Sequence, residues 1–159
     1  MENEQEKLFE KLKELTGEIM RIIGFGEYSV DIKTDPIEKK TIFMSIRSPQ
    51  DVSFLIGRGG AMLNDFQTIL NAIFKNHGAD SFILVDVNEY RRERISYLKD
   101  LANRLARKVA QTKQAETVEP MPFYERKIIH TELSSRPDVI TESQGKGPER
   151  RVVIKPYIF

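Results

Sequence analysis

The 159-residue chain has no cysteine. A disulfide-stapled scaffold, thiol catalysis and a cysteine zinc site are therefore excluded. Its two histidines, His77 and His130, are isolated in the sequence and leave little from which to build any other transition-metal site, so no metal and no cofactor is expected. No apolar run reaches the length of a membrane span, and no membrane insertion is expected. The first twenty residues carry six Glu against three Lys, the reverse of a secretory or mitochondrial leader, which points to a soluble cytoplasmic protein. An overall basic excess is missing too. With 25 Lys and Arg against 24 Asp and Glu the net charge is +1, so any affinity for a polyanion has to come from local sorting of charge.

That sorting is present. Residues 1–20 sum to −3, whereas residues 91–113 gather Arg91, Arg92, Arg94, Lys99, Arg104, Arg107, Lys108 and Lys113 against Glu93 and Asp100, a net +6. A hydrophobic content of 40% at this length suits one large or two small domains.

The most distinctive stretch is Ile56-Gly57-Arg58-Gly59-Gly60. Before it, Ser48-Pro49-Gln50-Asp51 reads as a helix start, with a hydroxyl at the N-cap, proline at the first helical position and a carboxylate three residues after the cap. After it, Met62, Phe66, Ile69 and Ile73, joined by Leu63, Leu70 and Phe74, recur at helical spacing and predict a second amphipathic helix. Lys75 and His77 fall in its last turn, and Gly78 can take a left-handed cap. In such a loop the missing Cβ atoms let a sugar-phosphate backbone approach the main chain, the start of the second helix favours a phosphate, and Arg58 adds a cation at the tip. A Walker loop is ruled out because no Lys-Ser or Lys-Thr pair follows, and a Rossmann fingerprint because Met62 stands where the third glycine would be. A turn joining two helices without any ligand is the alternative.

Upstream, Leu8, Leu12, Leu15, Ile19 and Ile22 mark a helix ending near Gly24 and Gly26. Residues 28–33 and 41–47 alternate as two strands, and residues 81–87 form a third, nearly continuous apolar strand. The order to Val87 is αββααβ. Helix, glycine loop and helix within that order resemble a type II KH domain over residues 5–88. The resemblance implies a groove for about four nucleotides of single strand between the loop, the paired helices and the sheet edge. It makes Ile46, Ile56 and Asn64 groove-lining candidates beyond Gly57, Arg58, Gly59 and Gly60. Burial in the core is the competing reading of both isoleucines, and a solvated helix position that of Asn64.

From Asn88 a long helix is predicted, with Ile95, Leu98, Ala102, Leu105 and Val109 as its apolar stripe. Arg92, Lys99, Arg104 and Arg107 fall largely on its other side, and Arg91 and Arg94 on the apolar side, as if lining a seam between domains. Glu116 to Glu119 reads as a short strand. Pro120 and Pro122 then open a helix holding Phe123-Tyr124-Glu125-Arg126-Lys127-Ile128-Ile129-His130, in which Arg126 and His130 share one face. Residues 139–143 and 151–155 form a hairpin across Gly145-Lys146-Gly147-Pro148. This Arg-x-x-x-His helix followed by a hairpin resembles the R-three-H domain, a small fold that binds single-stranded nucleic acid. Arg126, His130, Lys127, Arg104, Arg107 and Arg151 are its binding candidates. Buried, structural roles for Arg126 and His130 stay open.

The two resemblances together define the expected fold class. It is α+β, with a type II KH domain at residues 1–88 followed by an R-three-H domain, helices on a small three-stranded sheet, at 89–159. That pairing resembles the bacterial Jag family, also called KhpB. The resemblance implies a cytoplasmic RNA-binding regulator linked to cell elongation and division. Its partners would be single-stranded RNA, with single-stranded DNA as a second ligand, and either a second copy or a small KH protein as a dimer partner. Many family members carry a further N-terminal domain and linker that this sequence does not show. No enzyme is expected, because no carboxylates pair near the loop or the Arg-His face and no second catalytic group accompanies His130. The alternative is a protein-interaction or dimerisation module, to which the two-sided apolar run Phe82-Ile83-Leu84-Val85 points.

Overall fold

The computed structural model describes residues 2–37, 40–76 and 81–157. The expected cap at His77 and Gly78 lies outside the described residues. The chain divides into two compact units, residues 1–90 and 91–159.

The first unit runs α1 (Glu2–Ile22), β1 (Ser29–Thr34), β2 (Thr41–Arg47), α2 (Ser53–Ile56), a single 3-10 turn (Arg58–Gly60), α3 (Ala61–Asn76) and β3 (Phe82–Val87). Strand β2 is central, antiparallel to β1 and parallel to β3, so the segment carrying α2, the glycine turn and α3 is a crossover connection between parallel neighbours. Period-two alternation sends Ile42, Met44 and Ile46 of β2 and Ile83, Val85 and Val87 of β3 into one core with Leu12, Met20, Leu63, Leu70 and Phe74. The opposite face of the sheet keeps Phe43 and Phe82 exposed, Phe82 at 51%. Only one side of the β3 apolar run is therefore buried.

Three local expectations change. The segment from Ser48 is not helical: the Ser48 hydroxyl donates to Glu27 O at 2.7 Å and accepts from Gln50 N at 3.2 Å. The helix begins five residues later, where Asp51 accepts from Ser53 N at 2.9 Å, and lasts one turn. In α1, Ile22 is 78% exposed, because the helix ends there and Ile23 takes the core contact instead. In α3, Met62 and Ile69 lie on the exposed edge of the apolar stripe while Leu63, Leu70 and Phe74 fill the core.

As the third strand of the sheet, β3 leaves a row of main-chain groups without a strand partner. Helix α3 covers them. Asn71 Nδ2 donates to Ile83 O and Asn71 Oδ1 accepts from Ile83 N, both at 2.8 Å, and Gln67 Oε1 accepts from Val85 N at 3.0 Å.

The second unit comprises α4 (Tyr90–Thr112, its first residue belonging to the first unit), β4 (Glu116–Thr117), α5 (Phe123–Leu133), β5 (Val139–Gln144) and β6 (Arg151–Pro156). Its sheet has the order β4-β6-β5, antiparallel throughout. Leu98, Ala102, Ala106 and Val109 of α4 meet Ile129 and Leu133 of α5 and Val139, Val152 and Ile154 of the sheet in a second core. Both units are mixed α and β, and no helix among the described residues is long and apolar enough to cross a membrane.

Candidate nucleic-acid interface

All three loop glycines have positive φ. Gly57 sits at φ 68° and ψ 179°, Gly59 at 59° and 26°, and Gly60 at φ 80°. The first of these is a region only glycine enters freely. Sterics add to this, since a Cβ on Gly57 would stand 2.8 Å from Met62 Cβ and one on Gly60 2.9 Å from Tyr90 Cε1. Gly60 is buried, with the Tyr90 ring packed against it. Gly60 N–H also donates to Gly57 O at 3.2 Å, and Ala61 N–H donates to Arg58 O, so these two amides are used within the turn. What the turn projects is Arg58, exposed at the tip, with half-buried Gly57 and Gly59 beside it, at the positive end of a 16-residue helix.

Around the loop, Ile56 and Asn64 are half-buried, and Ile56 packs on the core. Ile46 is 0% exposed and belongs to the core of the central strand, so it cannot line a groove. Sequence reasoning passed over Tyr90, which holds the loop from below, and the amides of Gln67 and Asn71. The last two had a signal: polar residues four apart within a strongly apolar helix need a buried partner.

The turn from β3 into α4 is built by two consecutive non-glycine residues of positive φ, Asn88 at 49° and Glu89 at 61°. Asn88 makes it tenable by clamping Ser48: its Oδ1 accepts from Ser48 N at 3.0 Å and its Nδ2 donates to Ser48 O at 2.9 Å. This geometry delivers Tyr90 to Gly60.

In the second unit the Arg-x-x-x-His pair shares one face of α5, but that face is turned inward. Arg126 is 7% exposed, donates from Nε to Met121 O at 3.3 Å and lies 5.6 Å over the Phe123 ring. These contacts tie the start of α5 to the preceding loop. His130 is half-buried between two hydroxyls, Nδ1 at 2.6 Å from Thr141 Oγ1 and Nε2 at 2.9 Å from Ser143 Oγ. Burial first, and then the nearby Arg126 charge, hold its pKa below the ordinary histidine value. The neutral ring is the favoured state.

Arg94 is engaged within the second unit. Its guanidinium grips the fully buried Glu125 carboxylate through two bonds, Nε to Oε1 at 2.8 Å and an Nη to Oε2 at 3.1 Å, and pins the first turns of α4 to α5. Arg151 is occupied by Glu149 at 2.9 Å, Lys108 by Glu116 at 2.6 Å, and Lys155 by Glu142. Arg104, Arg107 and Lys127 are exposed and have no acidic partner among the described residues. Among the described residues no three His, Asp or Glu side chains converge on a metal position.

The R-three-H domain family matches residues 96–156. A protein of Lactiplantibacillus plantarum called RNA-binding protein KhpB is 40% identical over 101 residues, 63% of this chain and 31% of that protein. Proteins of the same name from Bacillus subtilis and Clostridium symbiosum are 38% and 34% identical over 119 and 128 residues, covering 73% and 79% of this chain and 57% of each relative. Over up to 79% of its length the chain is thus similar to proteins named KhpB, and its C-terminal part matches the R-three-H family. It spans between about a third and somewhat over half the length of these KhpB relatives.

Proposed function

We propose that this chain binds single-stranded RNA, with residues 1–88 acting as a type II KH domain and residues 89–159 as an R-three-H domain. The observation that carries the reading is the glycine turn. Three positive-φ glycines hold an exposed Arg58 at the N-terminal end of α3, a combination suited to a phosphodiester backbone and costly to keep for a plain connection. The relatives named RNA-binding protein KhpB support the same ligand. In the second domain the contact set narrows to Arg104, Arg107 and Lys127, whose charges lack acidic partners among the described residues. Single-stranded DNA would fit the same phosphate contacts, and the role is that of a non-enzymatic cytoplasmic regulator of transcripts tied to cell elongation and division. The test is a double variant, Arg58→Asp with Gly59→Asp, which puts two carboxylates against the phosphate path. Loss of most RNA binding in a folded protein is expected, and unchanged affinity would end the KH reading.

A second reading, an interaction or dimerisation module joining a second copy or a small KH protein, is favoured by exposed Phe43 and Phe82 on the open face of the first sheet. Light scattering of the purified chain, with and without Phe82→Ser, separates the two readings, since only a sheet-mediated assembly loses mass on that change.

A further inference from the structure

Helix α5 has two faces. Arg126, Ile129 and Leu133 are buried and His130 is bonded to β5, whereas Tyr124, Lys127, Ile128 and Thr131 lie on the other side as the i,i+4 pairs Tyr124/Ile128 and Lys127/Thr131. With Lys99 and Glu132 they line a cleft of about 500 Å³ between α4 and α5. The chemistry of its walls is specific. Tyr124 presents a partly exposed ring beside the apolar Ile128, its hydroxyl 3.5 Å from Oε1 of the Glu125 that Arg94 clamps. Lys127 lacks an acidic partner among the described residues. The carboxylate in the cleft is compensated, because Glu132 accepts from Asn103 Nδ2 at 2.8 Å and pairs with Lys99 Nζ at 3.7 Å.

We infer that this cleft seats one nucleotide of a single-stranded RNA, its base against Tyr124 and Ile128 and its phosphate on Lys127. The inference rests on the RNA-binding reading above. A nucleotide uses both halves of the site at once, a flat π face for the ring and a cation for the anion, whereas an acidic peptide would use the lysine and leave the aromatic face idle. The cationic wall also continues along the helix. Lys99, Asn103 and Arg107 follow at four-residue steps on α4, so Arg107 stands about 12 Å beyond Lys99, where the next phosphates of an extended strand would pass. The Arg-x-x-x-His face, occupied by its own hydrogen bonds, is left as the support that holds α5 in place.

The experiment uses the full chain and a labelled oligoadenylate RNA, with Tyr124→Leu and Lys127→Ala each made in the parent and in the Arg58→Asp, Gly59→Asp background. Tyr124→Leu is expected to weaken binding about fivefold or more, the lower end of what stacking one base contributes. Lys127→Ala, at an exposed position that cannot unfold the protein, is expected to flatten the slope of log affinity against log salt by about 0.7. Titration with adenosine 5′-monophosphate should shift the amide resonances of Tyr124, Lys127 and Thr131. If both variants keep parental affinity and slope while the glycine-loop variant loses binding, the cleft is not a site and the RNA reading stands. If the parent binds no RNA, both fall. Displacement of the adenosine monophosphate shifts by a polyglutamate peptide but not by RNA would give the cleft to a protein partner and overturn the inference.

Discussion

The ring of Tyr90 lies where a side chain on Gly60 would have to go, so that a Cβ there would stand 2.9 Å from Tyr90 Cε1 and 3.4 Å from its hydroxyl oxygen. The loop and the first residue of α4 are thereby one packed assembly, held from the other side by the Asn88 clamp on Ser48. Gly60→Ala should destabilise the chain by about 2 kcal/mol or more, from the left-handed backbone and from overpacking together. With Tyr90→Ala added, the two losses should sum to less than their separate values, because the clash is gone and only the backbone cost remains. Chemical denaturation of the four proteins checks this, and strict additivity would show that the contact does not matter.

The Asn71 amide gives a second expectation. Asn71→Ala leaves Ile83 N–H and C=O without partners at the end of the sheet, and each unmade bond of a buried main-chain group costs about 1–3 kcal/mol. Hydrogen exchange should show the Ile83 amide losing protection well before those of the central strand β2.

Arg126 and Arg107 should behave oppositely. Arg126→Ala removes a buried group that holds Met121 O and lies over Phe123, so the melting temperature drops while the salt dependence of RNA binding keeps its parental slope. Arg107→Ala, exposed and without an acidic partner among the described residues, should leave the melting temperature unchanged and flatten that slope by about 0.7. The reverse pattern would return Arg126 to the ligand surface.

His130 fixes the sign of a pH effect. Its folded pKa is depressed below the unfolded value near roughly 6.5, so between the two the unfolded chain binds more protons. The stability it contributes is complete above about pH 6.5 and is lost as pH falls from there through the folded pKa. In His130→Gln that part of the pH dependence should vanish from melting curves. Because the neutral ring is favoured, any gain in RNA affinity from a histidine cation should likewise begin only below the ordinary histidine range.

The order of elements was legible in the residues themselves, because alternation in β2 and the three- and four-residue steps of α3 report directly which side of each segment leaves water. The glycines at residues 57, 59 and 60 were legible as a loop open to a phosphate backbone, whereas their positive φ values appear only in the structure. Spacing also placed Arg126 and His130 on one face, but a helical wheel relates side chains only to one another. Which face meets solvent was decided by packing, where Ile129 and Leu133 reach the core of the second unit and carry Arg126 inward, with His130 falling between the hydroxyls of Thr141 and Ser143 on a strand that follows later in the chain. Ile46 went the same way, since only the strand order β1-β2-β3 makes its strand central and its side chain core. Tyr90 under Gly60, Asn71 on Ile83 and Arg94 on Glu125 are contacts between segments far apart in sequence, and no local pattern encodes them; they exist because the chain closed on itself and left each of those polar or bulky groups one place to go.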